Sequence, residues 1–121
     1  MSDKEITIEY LKERIKKFVH DRDWSQFHNP KDLAMDISVE AAELQELFLW
    51  KDFRAEDVKN NPELYRKVCE ELSDVIISGM ELANVLGIDL SQAIDQKLKK
   101  NNEKYPVEKS KGKADKYTEF I

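Results

Sequence analysis

The sequence of 121 residues predicts an all-α fold, a bundle of four long helices. Three observations carry that expectation. Apolar residues recur at three- and four-residue spacing through four long stretches, the period of a helix buried along one side. Asn-Pro pairs stand at 29–30 and 61–62, each a good cap followed by a good first helical residue. No stretch shows a convincing strand pattern, and no segment repeats at a fixed period.

The first helix is expected over residues 5–22. Ile8, Leu11, Ile15, Phe18 and Val19 form its apolar stripe, with Lys12, Arg14, Lys16 and Lys17 on the solvated side. A connecting segment from Arg22 to Asn29 holds Trp24, Phe27 and His28. By residue type alone these plug the end of the bundle or form a pocket for a flat ligand, and the plug is the simpler reading. The second helix runs from Pro30 to about Trp50. The polar stretch 51–61 has room for one helical turn. The third helix runs from Pro62 to about Leu86, and Gly87 is placed to end it. Asp89, with Gln92 three residues on, starts a fourth helix that reaches about Lys104 before Pro106. Lys97, Asn101 and Lys104 give that helix one basic face, either solvated or suited to phosphate. Residues 1–106 read as the domain and 107–121 as a Lys-rich arm, with Tyr117 and Phe120 available for docking.

Two acidic pairs stand out within this frame. On the second helix Leu33, Ile37, Ala41, Leu44, Leu47 and Phe48 share one stripe; Glu40 falls inside it and Glu43 lies about 60° to one side. On the third helix Leu64, Val68, Val75, Leu82 and Leu86 share a stripe; Glu71 falls inside it and Asp74 again lies about 60° to the same side. Charged residues make up 37% of the chain, so a single such pair would be unremarkable. Two pairs with matching placement predict four carboxylates meeting between packed helices. Such a cluster is costly unless a cation neutralises it, and its all-oxygen donors suit Mg²⁺ or Mn²⁺.

Composition narrows the classes further. A net charge of −5 argues against a nucleic-acid polymer as partner. One cysteine, Cys69, allows no disulfide within the chain and fits a reducing, cytoplasmic setting; it reads as a core or interface residue. No apolar run approaches a membrane span, and the first residues lack the apolar segment of a signal peptide. Three glycines form no phosphate-cradling loop. A ferritin-like di-iron bundle would need Glu-x-x-His, and neither His20 nor His28 has a Glu three residues before it. The third helix also shows Cys69, Ile76, Ile77 and Met80 outside its stripe, more apolar surface than one short chain covers, which predicts an oligomer. A non-catalytic helical interaction module with an acidic face is the alternative outside the enzymes.

Taken together, these residues resemble one family. Glu-x-x-Glu followed by Glu-x-x-Asp is the signature of the all-α nucleoside triphosphate pyrophosphohydrolases, the MazG-like superfamily. Segments 22–28, 43–51, 70–75 and 97–107, with Lys116-Tyr117-Thr118, look like the dCTP pyrophosphatases within it. The resemblance implies a four-helix fold assembled as a homotetramer. It implies Mg²⁺-dependent hydrolysis of a nucleoside triphosphate, dCTP or a related nucleotide, to the monophosphate and pyrophosphate. Glu40, Glu43, Glu71 and Asp74 would hold the metal, with Glu40 or Glu43 as base. Trp24, His28 and Trp50 would form the base pocket, which overrides the plug reading. Lys97, Asn101, Lys104 and Tyr105 would contact phosphates or sugar. One departure bears on that pocket: Ser78 stands where animal relatives carry a tyrosine. Trp24 and Trp50 flank the second helix, roughly 30 Å apart at 1.5 Å per residue, so a pocket using both is expected to draw on two subunits.

Overall fold

The computed structural model describes residues 1–119. Among these every regular element is helical: α1 (Ile8–Asp21), α2 (Pro30–Glu46), α3 (Ala55–Lys59), α4 (Pro62–Leu86), α5 (Leu90–Lys104) and α6 (Val107–Ser110), with 3₁₀ turns at Ser25–Phe27 and Tyr117–Glu119. The four long helices are those the periodicity predicts. Helix α3 is the single turn foreseen in the polar connection, and α6 adds a turn to a stretch expected to be irregular. Phe120 lies outside the described residues. No helix among them is long and apolar enough to cross a membrane.

Local chemistry sets the boundaries. Helix α1 starts at Ile8 because Thr7 Oγ1 accepts the Tyr10 N–H at 3.0 Å. Asn29 and Asn61 accept from the N–H of Asp32 and Leu64 at 2.9 and 3.1 Å, opening α2 and α4 as expected. Asp89 accepts from the Gln92 N–H at 2.9 Å and opens α5. Gly87 ends α4 at φ 65°, a left-handed conformation that suits a residue without a Cβ. Helix α2 stops at Glu46, short of Trp50. Its last turn tightens: the N–H groups of Leu47, Phe48 and Leu49 bond the carbonyls three residues back, and Trp50 turns the chain at φ 62°.

Contacts divide the chain into two units, Met1–Ile88 and the residues from Asp89 onward. In the first unit α4 lies between α2 and α1. That central position explains why α4 is apolar on more than one side. Its deepest residues are Ser78, Met80 and Ala83, with Leu33 of α2 and Val19 of α1 completing the buried set. The expected stripe residues Leu82 and Val75 are only half-buried, Leu86 is exposed, and Met80, placed outside the stripe, is core. Phe18 is 45% exposed, and Cys69 is exposed rather than in the core of its own chain. Lys12 is not simply solvated. Its Nζ donates to the Ile88 carbonyl at 2.6 Å just past the end of α4, where a cation is favoured, and Asn84 Nδ2 donates to the Lys12 carbonyl at 3.0 Å.

Candidate functional site

Glu-x-x-Glu on α2 faces Glu-x-x-Asp on α4. The side chains at i and i+3 are neighbours on a helix, so each helix offers two carboxylates to the same interface. One oxygen from each of Glu40, Glu43, Glu71 and Asp74 lies within 4.8 Å of the others. Glu40 and Glu71, the two placed inside the apolar stripes, are half-buried; Glu43 and Asp74, at the edges, are exposed. The partition follows the helical angles read from the sequence.

Electrostatics marks the cluster as strained. Burial, then the hydrogen-bonding approach and charge of Glu43, then the charges of Asp74 and Asp36, push the Glu40 carboxyl up from 4.5 to about 7. Burial and the charges of Glu43 and Asp74 raise Glu71 as well. Oε2 of Glu40 and Oε2 of Glu71 are both buried with no hydrogen-bond partner. Buried polar atoms are rarely left so, and each orphaned oxygen asks for a donor or a cation. Four hard oxygen donors in this space match the chemistry of a small divalent ion.

Two further polar groups continue the interface. Ser78 is buried and its Oγ donates to Asp36 Oδ2 at 2.7 Å. Glu81 is half-buried, and burial raises its carboxyl while His28 opposes the rise. Neither Asp36 nor Glu81 belongs to the two acidic pairs the sequence predicts. A usable signal existed: Asp36 precedes Glu40 by four residues, and Glu81 follows Asp74 by seven, each returning to nearly the same helix face.

The expected base-pocket residues are not all brought together. Trp24 packs edge-on against Phe18, ring centroids 5.7 Å apart, and is 45% exposed. His28 is half-buried and faces a cavity beside Glu81. Trp50 is 92% exposed past the far end of α2, about 26 Å along the helix from its start. In the second unit Lys97 is exposed, Asn101 and Lys104 are half-buried, and Tyr105 meets Tyr117 edge-on at 6.0 Å. Lys104 Nζ sits 5.0 Å from the centre of the Tyr117 ring, so the arm does dock through Tyr117.

Two facing helices that pool Glu-x-x-Glu with Glu-x-x-Asp define an all-α protein built around a carboxylate centre. Comparison with known proteins sharpens this. The sequence model of the MazG-like family matches residues 35–120, and the chain belongs to that family. It is 38% identical to dCTP pyrophosphatase 1 of Mus musculus, a match over 96% of this chain and 69% of that protein. The Homo sapiens protein of the same name is 36% identical over the same shares. Among solved structures, a pyrophosphatase from Archaeoglobus fulgidus superposes with a TM-score of 0.75 at 34% identity, covering 88% of this chain and 98% of that one.

Proposed function

We propose that the chain hydrolyses a nucleoside triphosphate to the monophosphate and pyrophosphate, with dCTP or a modified dCTP as preferred substrate. The observation that carries this reading is the convergence of Glu40, Glu43, Glu71 and Asp74 within 4.8 Å, two of their oxygens buried and unpartnered. The relatives named dCTP pyrophosphatase 1 support the choice of substrate.

The four carboxylates would hold Mg²⁺, with Mn²⁺ as an alternative. A bound divalent cation supplies charge neutralisation for the triphosphate and an acidified water. The rest falls to the chain's own groups. An acidic site repels a bare triphosphate, so the carboxylates fix where its phosphates can lie. A carboxylate oxygen of Glu40 or Glu43 accepts the proton of the attacking water. Trp24, His28 and Trp50 are assigned to the base, and Lys97, Asn101, Lys104 and Tyr105 to the phosphates and sugar. The exposed distance between Trp24 and Trp50 within one chain supports a pocket shared between copies.

Assembly follows from exposed apolar surface. Phe18, Leu72, Ile76 and Ile77 border a groove of about 690 Å³ between α1 and α4. We assign this face to subunit contact in a homotetramer. Light scattering at micromolar concentration is expected to give about four times the 14.2 kDa chain mass. A fully active monomer would refute that assembly. The activity itself is tested with a panel of nucleotides assayed with Mg²⁺ and with a chelator, the products identified. Release of pyrophosphate and dCMP from dCTP is the expected result; no turnover of any nucleotide would leave a non-catalytic helical module.

A further inference from the structure

A cavity of about 170 Å³ opens between α1, the connecting segment and α4, lined by Lys16, Val19, His28, Glu81, Asn84 and Val85 among others. Pockets for whole ligands run to about 300–1,000 Å³, so this one suits part of a ligand, such as a single ring. Val19 and Val85 give it apolar walls. Its acidic group is Glu81, half-buried and, among the described residues, in no hydrogen bond or ion pair; the exposed Lys16 makes none with it. A carboxyl withdrawn from water in this way gains from a donor that arrives with a ligand.

Its position relates it to the acidic cluster. Glu81 follows Asp74 by seven residues, which turns α4 to within about 20° of the same direction and moves about 10.5 Å along the axis. That is about the reach of a sugar and a pyrimidine ring from a phosphate held at the cluster. Between the two, Asp36 and Ser78 close the interface with their 2.7 Å hydrogen bond. The Asp36 carboxylate therefore has its own donor, while Glu81 does not.

We propose that Glu81, with His28 beside it on the same cavity, is a specificity-determining residue that accepts a hydrogen bond from the exocyclic amine of the base. The inference rests on the pyrophosphohydrolase reading for the phosphates, and extends it to the base. A carboxylate accepts from the amine of an amino-pyrimidine. An oxo-pyrimidine presents a carbonyl oxygen there instead, and two acceptors then meet without a proton between them. The size of the cavity favours one ring over two, so the selected class is an amino-pyrimidine nucleotide.

The test compares kcat and KM for dCTP and dUTP in the parent, Glu81→Gln and Glu81→Ala, with binding of dCMP and dUMP measured alongside by calorimetry. Loss of one hydrogen bond to a charged group predicts a fall of roughly tenfold or more in the dCTP/dUTP ratio of kcat/KM, through the KM for dCTP. Glu81→Gln keeps the volume, so a folding defect does not imitate the result. In that variant the amide can turn its NH₂ toward a carbonyl oxygen, and dUTP is expected to gain. Turnover of both nucleotides with an unchanged ratio in both variants overturns the proposal and leaves the pyrophosphohydrolase reading standing. No turnover, with Glu81-dependent preference for dCMP, does the reverse. A parent that prefers neither monophosphate nor triphosphate of cytosine overturns the role of Glu81.

Discussion

Glu40 and Glu43 meet Glu71 and Asp74 across the α2–α4 interface, whereas Trp24 and Trp50 stand beyond opposite ends of α2. Both sets belong to the same helix and its surroundings. The acids are carried on helical positions three residues apart, so the helix fixes their geometry and packing of two helices completes it. The tryptophans sit on connections, each beside or at a residue with left-handed backbone, Asp23 at φ 55° and Trp50 at φ 62°. Their directions are set by turns, and the length of α2 separates the two rings. The acids thus answer to helix periodicity and the aromatics to the turns that carry them.

The largest expected effect breaks the acid side of that comparison. Glu71→Gln removes one of four donors and should cut turnover by more than the about 10–100-fold typical of outer-shell changes around a metal. The same substitution removes a like charge from the metal-free cluster, so melting temperature in chelator should hold or rise. Activity near that of the parent would remove Glu71 from the site.

The aromatic side is sharpened by a pair of variants. Trp24→Ala loses stacking and should raise KM for dCTP by roughly tenfold or more. It also loses the edge-on contact with Phe18, at a cost of about 1 kcal/mol in stability. Trp50→Ala should raise KM to a similar extent while changing stability by less than about 0.5 kcal/mol, because the ring touches little of its own chain. Urea melts and kinetics on the two variants separate these outcomes. An unchanged KM in Trp50→Ala would place the second wall of the pocket elsewhere.

The smallest effect is a pH dependence of stability. Glu40 is raised from 4.5 to about 7 in the folded chain, so the folded form holds the proton more tightly than the unfolded form. The associated stability is present in full below 4.5 and is lost as pH rises through about 7. Melting temperature in chelator should therefore fall by a few degrees across about pH 5 to 8. Added Mg²⁺ should restore it at the upper end, and Glu40→Gln should flatten the profile. A melting temperature that climbs over this range would contradict the strained cluster.

The same contrast explains what was legible in the sequence. The four long helices and the acidic quartet were readable because both follow from a 100° period and from caps such as Asn61 and Asp89. The end of α2 was not, since the tightened turn from Leu47 to Trp50 depends on backbone bonds rather than on a breaker residue. The buried face of α4 departs from its apolar stripe at Met80 and Leu86 because two partners, α1 and α2, share one helix. Asp36 and Glu81 show in the sequence only as returns to the acidic face, four residues before Glu40 and seven after Asp74; packing is what sets Asp36 against Ser78, and Glu81 beside His28.

Trp50 combines two unfavourable features at one residue. Its indole is almost wholly in water, and its backbone occupies a region that costs a side-chain-bearing residue about 1–2 kcal/mol. The left-handed turn sets the backbone direction from which the ring projects before anything touches it. When the indole meets another surface, little backbone freedom remains to be surrendered, and the ring has only two side-chain torsions to settle. Part of the entropy of recognition has then been spent in advance, during folding, which favours a faster and more selective encounter at that corner of the chain.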